Sequence, residues 1–189
     1  MYHIKDDKRS LQSAECICEA LNILLGQKKL SDISITEIQK TAGVGRTTFY
    51  RLFDNVSDVL TYQAEKIVGD GLKKLEAKPF KTSYQNLYYS LEIFSENKDF
   101  LMNLAKENRI SLLRESLKRH LKKMRAVMFP DFSSDNIESD FLVNGICSLL
   151  IDAQELYIGT KENLTIEELM QKTRDLLVFM AKPLEKKEA

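Results

Sequence analysis

Residues 46–51 read Arg46, Thr47, Thr48, Phe49, Tyr50 and Arg51, so two guanidinium groups, two hydroxyls and a phenol fall within six positions. Groups of this kind donate hydrogen bonds to phosphate oxygens and to base edges, and residues 38–53 add Lys40 with no acid among them. The chemistry they point to is recognition of a nucleic acid. Phe49 and Phe53 lie four apart, on one helical face, which leaves Arg46, Thr47, Thr48, Tyr50 and Arg51 to face outward. Just upstream, Ser34 with Glu37 three residues later makes a capping box that starts a helix. Ile35, Ile38 and Ala42 then face a small core, and Gly43 ends the helix because glycine enters a left-handed turn at little cost. Gly45 is an acceptable N-cap for the helix that follows. Asn55 with Asp58 resembles a further helix start. Two helices around a short glycine-containing turn form a helix-turn-helix, whose second helix can lie in the major groove.

The elements that must hold this unit are also helical. With 7 glycines and 3 prolines in 189 residues, no strand-like alternation competes. Leu11, Ala14, Cys18, Leu21 and Leu25 recur at spacings of three and four, which predicts a first helix over residues 8–25 covering the back of the reading head, with Gly26 ending it. A fourth helix is expected over 56–75, with Gly69 and Gly71 as a candidate kink or joint between domains. Beyond Pro79 come helices over 82–95 and 100–106, then a long one over 110–129 that stops at Pro130. Asp135 with Glu138, and Thr165 with Glu168, open the last two long helices as capping boxes.

Composition narrows the class. Hydrophobic content of 43% supports a real core. No run approaches the roughly 18 apolar residues of a membrane span, and the N-terminus lacks the apolar core of a signal peptide, so a cytoplasmic protein is expected. Cys16, Cys18 and Cys147 are sparse; the first two point in different directions from one helix, and all three read as buried or half-buried thiols. Lys plus Arg and Asp plus Glu both number 28, and residues 1–60 balance at eight of each, so there is no domain-wide basic field. Specificity must then depend on geometry more than on bulk charge. His3, in a terminus expected to fray, and His120 are the only histidines. No nucleophile has a partner motif, no glycine-rich phosphate loop appears, and no metal-ligand spacing is present, which argues against an enzyme and against any cofactor.

The run T-A-G-V-G-R-T-T-F-Y-R-L-F, about thirty residues in and followed by a helix near Val56, resembles the TetR family of transcriptional regulators, in detail over residues 8–60. The resemblance implies an all-α protein: an N-terminal three-helix helix-turn-helix domain over 1–58 and a helical effector-binding and dimerisation domain over 59–189. It implies a homodimer reading palindromic double-stranded DNA, and usually a small-molecule effector, with no membrane partner. Arg46 and Thr47 match positions that touch base edges, where an arginine can donate to guanine O6 and N7. Thr48 and Tyr50 match positions that hold phosphate. Ser34 and Thr36 sit where helix amides and hydroxyls meet a phosphate or flanking base; Arg51 is a further DNA-facing candidate. Thr48 and Tyr50 could instead pack, and Arg51 could be merely solvated. The chain departs from the pattern at Gln39, Gly45, Leu52 and Val56. At the last of these the family commonly has a lysine that clamps the DNA backbone, so weaker, more salt-sensitive binding is expected.

The C-terminal half leaves more open. Phe141, Gly145, Ile146, Leu149, Ala153 and Leu156 form one stripe, and Ile166, Leu169, Thr173, Leu176 and Met180 another; they either make a four-helix dimer interface or pack inside the protomer. Phe80, Tyr84, Tyr88, Phe94, Phe100, Met102, Phe129, Phe132 and Tyr157 either line an effector pocket or form ordinary core. Lys118, Arg119, His120, Lys122, Lys123 and Arg125 read as a solvated basic face in preference to a patch for acidic partners. The expected function is a sequence-specific DNA-binding regulator, a ligand-responsive repressor, with a TetR-like interaction protein or co-regulator that binds a protein partner as the alternative.

Overall fold

A computed structural model describes residues 1–78, 83–128, 137–159 and 165–181, and its elements are helices apart from one isolated bridge between Tyr2 and Phe53. They are α1 (Lys8–Leu25), α2 (Ile35–Ala42), α3 (Arg46–Leu52), α4 (Val56–Ala77), α5 (Ser83–Glu96), α6 (Lys98–Lys106), α7 (Ser111–Arg119), α8 (Leu121–Met128), α9 (Ile137–Gly159) and α10 (Ile166–Ala181), with one 3-10 turn at Leu30–Asp32. No helix among them is long and apolar enough to cross a membrane.

The local starts follow side-chain chemistry. Asp7 caps α1 by accepting from the Ser10 amide, and capping boxes close at Ser34 with Glu37 and at Asn55 with Asp58. The Thr165 amide donates to Glu168 and the Glu168 amide to Thr165 Oγ1, as the spacing predicts for α10. The box expected at Asp135 lies outside the described residues.

α1 carries the head. Ala14, Ile17, Cys18, Leu21, Leu24 and Leu25 are buried along it, and it packs on α2, α3, α4 and α6. Burying a stripe of this kind, at about 1.5–3 kcal/mol per large side chain, holds a short helix-turn-helix that could not persist alone. The buried cluster runs on through Val59, Leu60 and Ala64 of α4 into Phe100, Leu104, Leu113 and Ile151, so head and body share one core.

Two expectations are corrected here. α4 continues unbroken through Gly69 and Gly71; nothing crowds Gly69, whereas a Cβ on Gly71 would stand 3.2 Å from Ile93 Cγ2, so this glycine serves close approach of α5. The long helix expected over 110–129 is two helices broken at His120, whose backbone leaves the helical region at φ −100, ψ 9. Its imidazole Nδ1 lies 2.9 Å from the Ser116 carbonyl oxygen. A side chain that bonds its own preceding turn competes with helix continuation. Between α6 and α7 the turn is made by Asn108 at φ 54, a left-handed conformation that asparagine tolerates. The basic run is also less solvated than expected: Arg119 pairs with Glu65 at 2.5 Å, Lys123 with Glu76 at 3.1 Å, and the buried Arg125 with Asp140 at 2.6 Å.

Candidate nucleic-acid interface

The turn between α2 and α3 sets the geometry of the site. Gly43 takes φ 65, ψ 28, and the Gly43 and Val44 amides donate back to the Lys40 and Gln39 carbonyls at 3.3 and 3.0 Å. These two crossed bonds satisfy the last carbonyls of α2 and reverse the chain within three residues. Gly45 then N-caps α3 in an extended conformation with no side-chain bond, as its lack of a hydroxyl dictates. Phe49, Leu52 and Phe53 are fully buried and fix the rotation of α3 about its axis.

That rotation leaves Arg46, Thr47, Tyr50 and Arg51 exposed, one and two positions into each successive turn, while Thr48 is half-buried. The Arg46 guanidinium lies 5.6 Å from the centre of the Tyr50 ring, one turn along. This cation–π contact orients the arginine without using its hydrogen-bond donors. Lys40 is exposed beside them on α2, and among the described residues none of Lys40, Arg46 and Arg51 makes an ion pair. The face therefore presents cations and hydroxyls with their bonding capacity unused.

The start of α2 is different. Ser34 and Thr36 are exposed, yet the Ser34 hydroxyl donates to Glu37 Oε2 at 2.8 Å and accepts from the Glu37 amide at 3.3 Å, and the Ser34 amide donates to the same carboxylate at 3.0 Å. Lys28 bonds the other carboxylate oxygen. With its hydroxyl engaged and a carboxylate in front of it, Ser34 is poorly placed to receive a phosphate; Thr36 remains unengaged. The Lys28 ammonium, followed by the Ser34 amide, holds the Glu37 carboxyl down at about 2.

At the start of α4, where the resemblance implies a basic residue, Val56 lies between Asp54 and Asp58, and Asp58 is occupied in capping. The segment before α1 covers this corner and is not frayed. The His3 amide donates to the Leu52 carbonyl at 2.8 Å, His3 Nε2 lies 3.1 Å from Asp54, and the Tyr2 ring meets Tyr62 edge-on at 5.3 Å with its hydroxyl donating to Glu65. Sequence reasoning missed Tyr2 and His3; alternation of Tyr2 and Ile4 as half-buried residues is the signal that was available.

In the body, Phe94 is the one described member of the assigned aromatic set that borders the small apolar pocket, about 40 Å³, between α4, α5, α7, α8 and α9. Phe100 is 3% exposed and belongs to the core; Tyr88 donates to Glu167 at 2.8 Å; Met102 borders a separate open groove beside α1. Phe80, Phe129 and Phe132 lie outside the described residues, as do the side chains of Tyr84 and Tyr157. On α9, Ile137 and Phe141 are 84% and 78% exposed, Gly145 is exposed and Leu149 half-buried. On α10, Leu169 and Thr173 are buried within the protomer, with Thr173 Oγ1 donating to the Leu169 carbonyl, so they are corrected from interface to interior. The side chains of Ile146, Ala153, Leu156, Ile166, Leu176 and Met180 lie outside the description. Cys18 and Cys147 are buried, which pushes both thiols up to about 12, and Cys16 is half-buried. Among the described residues no group of three or more His, Cys, Asp or Glu could hold a metal ion.

These features define an all-helical protein whose helix-turn-helix is built into the same core as a larger helical body. The fold is that of TetR-type transcriptional regulators. It superimposes on a solved protein of Listeria innocua with TM-score 0.79 and 13% identity, covering 94% of this chain and 96% of that one. A TetR transcriptional regulator from Streptococcus agalactiae gives TM-score 0.61 at 20% identity, over 88% and 94%. Thermus thermophilus FadR, a TetR-family repressor solved with lauroyl-CoA, gives TM-score 0.62 at 16% identity, over 93% and 98%. No protein-family model matches the chain, and no curated protein matches it by sequence.

Proposed function

We propose that this chain is a sequence-specific DNA-binding transcriptional regulator, a cytoplasmic homodimer that represses from a palindromic operator and responds to a small molecule. The observation that carries the reading is the exposed, unpaired face of α3. Arg46, Thr47, Tyr50 and Arg51 share one side of a helix whose opposite side is locked into the core. Arg46 would donate to guanine in the major groove, while Thr47 would meet a neighbouring base edge. Thr48, Tyr50, Arg51 and Thr36 would hold phosphates and set the register. Residues 1–58 act as the reading head and 59–189 as the effector and dimer domain. The exposed Ile137, Phe141 and Gly145 stripe of α9 supports subunit pairing, since large apolar side chains left in solvent on one helical face mark an interaction surface.

Selection of random duplex DNA by the purified protein tests the reading. The expected result is an enriched palindrome, with Arg46→Ala costing about 1–3 kcal/mol on that site and relaxing preference at one base pair of each half-site. Binding that depends on salt alone and selects no sequence would refute it.

One observation favours a protein partner instead of a small molecule. The apolar pocket between the body helices, about 40 Å³, is far below the roughly 300–1,000 Å³ of usual ligand sites. An effector seated there would need a wall to move.

A further inference from the structure

α3 ends at Leu52, and a helix of seven residues leaves its last carbonyls without intrahelical partners. The Leu52 carbonyl is satisfied from outside, by the His3 amide at 2.8 Å. The Asp54 amide donates back to the Met1 carbonyl at 3.3 Å, so that Tyr2 and Phe53 pair as an antiparallel bridge. Phe53 is the C-cap of α3, extended at φ −140, ψ 136. Residues 1–3 therefore lie as a short strap along the link between α3 and α4.

The side chain of the strap grips α4. The Tyr2 ring stands edge-on to Tyr62 at 5.3 Å, and Tyr62 in turn meets Phe53 at 5.8 Å. Phe53 lies 5.9 Å from Phe49, Phe49 lies 5.7 Å from Tyr50, and the Arg46 guanidinium stands 5.6 Å from the Tyr50 ring centre. Rings at such separations attract one another in tilted and edge-on arrangements. An unbroken series of contacts thus runs from Tyr2 to the arginine at the front of α3. A second tie leads to the body. The Tyr2 hydroxyl donates to Glu65 Oε2, while Glu65 Oε1 lies 2.5 Å from Arg119 Nη2 on α7. Each carboxylate oxygen has its own partner, and both bonds are charge-assisted.

We propose that Tyr2 and Glu65 are positioning residues for base reading: the strap closes the free end of α3 and, through Glu65, fixes that end and Arg46 with it against α4 and α7. Both act through α3 and not by touching DNA themselves. Without the strap the Leu52 carbonyl loses its donor and the last turn of α3 opens, so that the tilt of the helix is set from its Gly43 end and its buried face alone. The effect on DNA rests on the regulator reading; the hold of the strap on α3 does not.

Amide hydrogen exchange of the full chain, followed by NMR, and binding to the operator selected as above test it, with thermal melting confirming that each variant is folded. The His3 amide of the parent is expected to exchange about tenfold or more slowly than in an unstructured peptide. Tyr2→Ala is expected to return it to the peptide rate, and to speed the amides of Tyr50, Arg51 and Leu52 by more than those of Ile17 and Leu21 in α1. On the operator, Tyr2→Ala should lower the ratio of specific to random-duplex binding roughly three- to tenfold. The loss should fall at the base pair that Arg46→Ala relaxes, and add little in the Arg46→Ala background. A residue with only a structural role would lower the melting temperature and leave that ratio alone. Tyr2→Phe, which keeps the ring and loses the bond to Glu65, and Glu65→Gln should both fall between the parent and Tyr2→Ala. Peptide-like exchange at His3 in the parent, equal acceleration of the α1 and α3 amides, or an operator ratio unmoved by Tyr2→Ala overturns the proposal. If α3 alone loosens in Tyr2→Ala and no DNA sequence is selected, the hold of the strap stands and the regulator reading fails.

Discussion

Glu37 joins three partners at once, the Ser34 amide, the Ser34 hydroxyl and the Lys28 ammonium, and so ties α2 to the turn after α1. Its carboxyl sits at about 2, below the ordinary 4.5. A carboxyl depressed on folding contributes stability that is fully present above about pH 4.5 and is lost as pH falls towards 2. Glu37→Gln should therefore lower the melting temperature at pH 7 and bring the variant and the parent closer together between pH 4.5 and 2. A gap that stays constant through that window would show that Glu37 acts only by its shape. The thiols give a second check. Since Cys18 and Cys147 are buried neutral thiols and Cys16 is half-buried, iodoacetamide at pH 8 should label the native chain at Cys16 alone. Rapid modification of all three, read by peptide mass, would mean that the core around α1 and α9 opens readily. At this scale the sequence was most legible where partners are close neighbours, as at Ser34 with Glu37. It was least decisive where a group has one local and one remote use: Ser34 is a capping residue and a phosphate-contact candidate, and in this structure its hydroxyl is engaged in the cap.

α3 has only seven residues, too few to persist by its own propensity. Its position depends on Phe49, Leu52 and Phe53, all fully buried, and on the left-handed Gly43. Phe49→Ala should cost about 3–5 kcal/mol, measured by denaturant unfolding. A loss under 1 kcal/mol would mean that the head core repacks. Gly43→Ala meets no atom within 4 Å, so its cost is backbone strain alone, about 1–2 kcal/mol. Helix existence and order were readable from periodicity and caps, to within two residues for α1, α4, α5 and α6. The break at His120 was not, because six apolar and basic positions continue the helical pattern on both sides, and the disturbance comes from one imidazole folding back on Ser116. Ordering of residues 1–4 was hidden for a related reason: its partners, Leu52, Phe53 and Tyr62, are 49 or more positions away.

For the whole molecule, the proposed pairing and reading are one geometric problem. In the proposed dimer, two heads would have to sit about 34–36 Å apart to enter successive major grooves, and a shift of α1 against α4 of a few ångströms would spoil that match. Phe141, 78% exposed, should be replaceable by aspartate with less than about 0.5 kcal/mol effect on the protomer. The expected outcome for Phe141→Asp is a monomer in sedimentation, with palindrome binding lost and single-site contacts weakened to non-specific levels. A variant that remains dimeric would move the interface elsewhere on the body.

The sequence by itself determined the helical class, the helix-turn-helix and the face of α3, because capping boxes, glycine stops and 3.6-residue periodicity act over a few residues. Only the tertiary structure decided that Leu169, Thr173 and Phe100 are interior, that Phe141 is left in solvent, and that Gly71 meets Ile93 in close approach. Periodicity tells which side of a helix is apolar; whether that side meets its own chain, a second copy or a ligand depends on the helices folded against it. The ion pairs that join Lys66 of α4 to Glu15 of α1, and Lys74 of α4 to Glu96 of α5, are a meeting of three helices. No local pattern encodes such a meeting, since it arises from packing between distant segments.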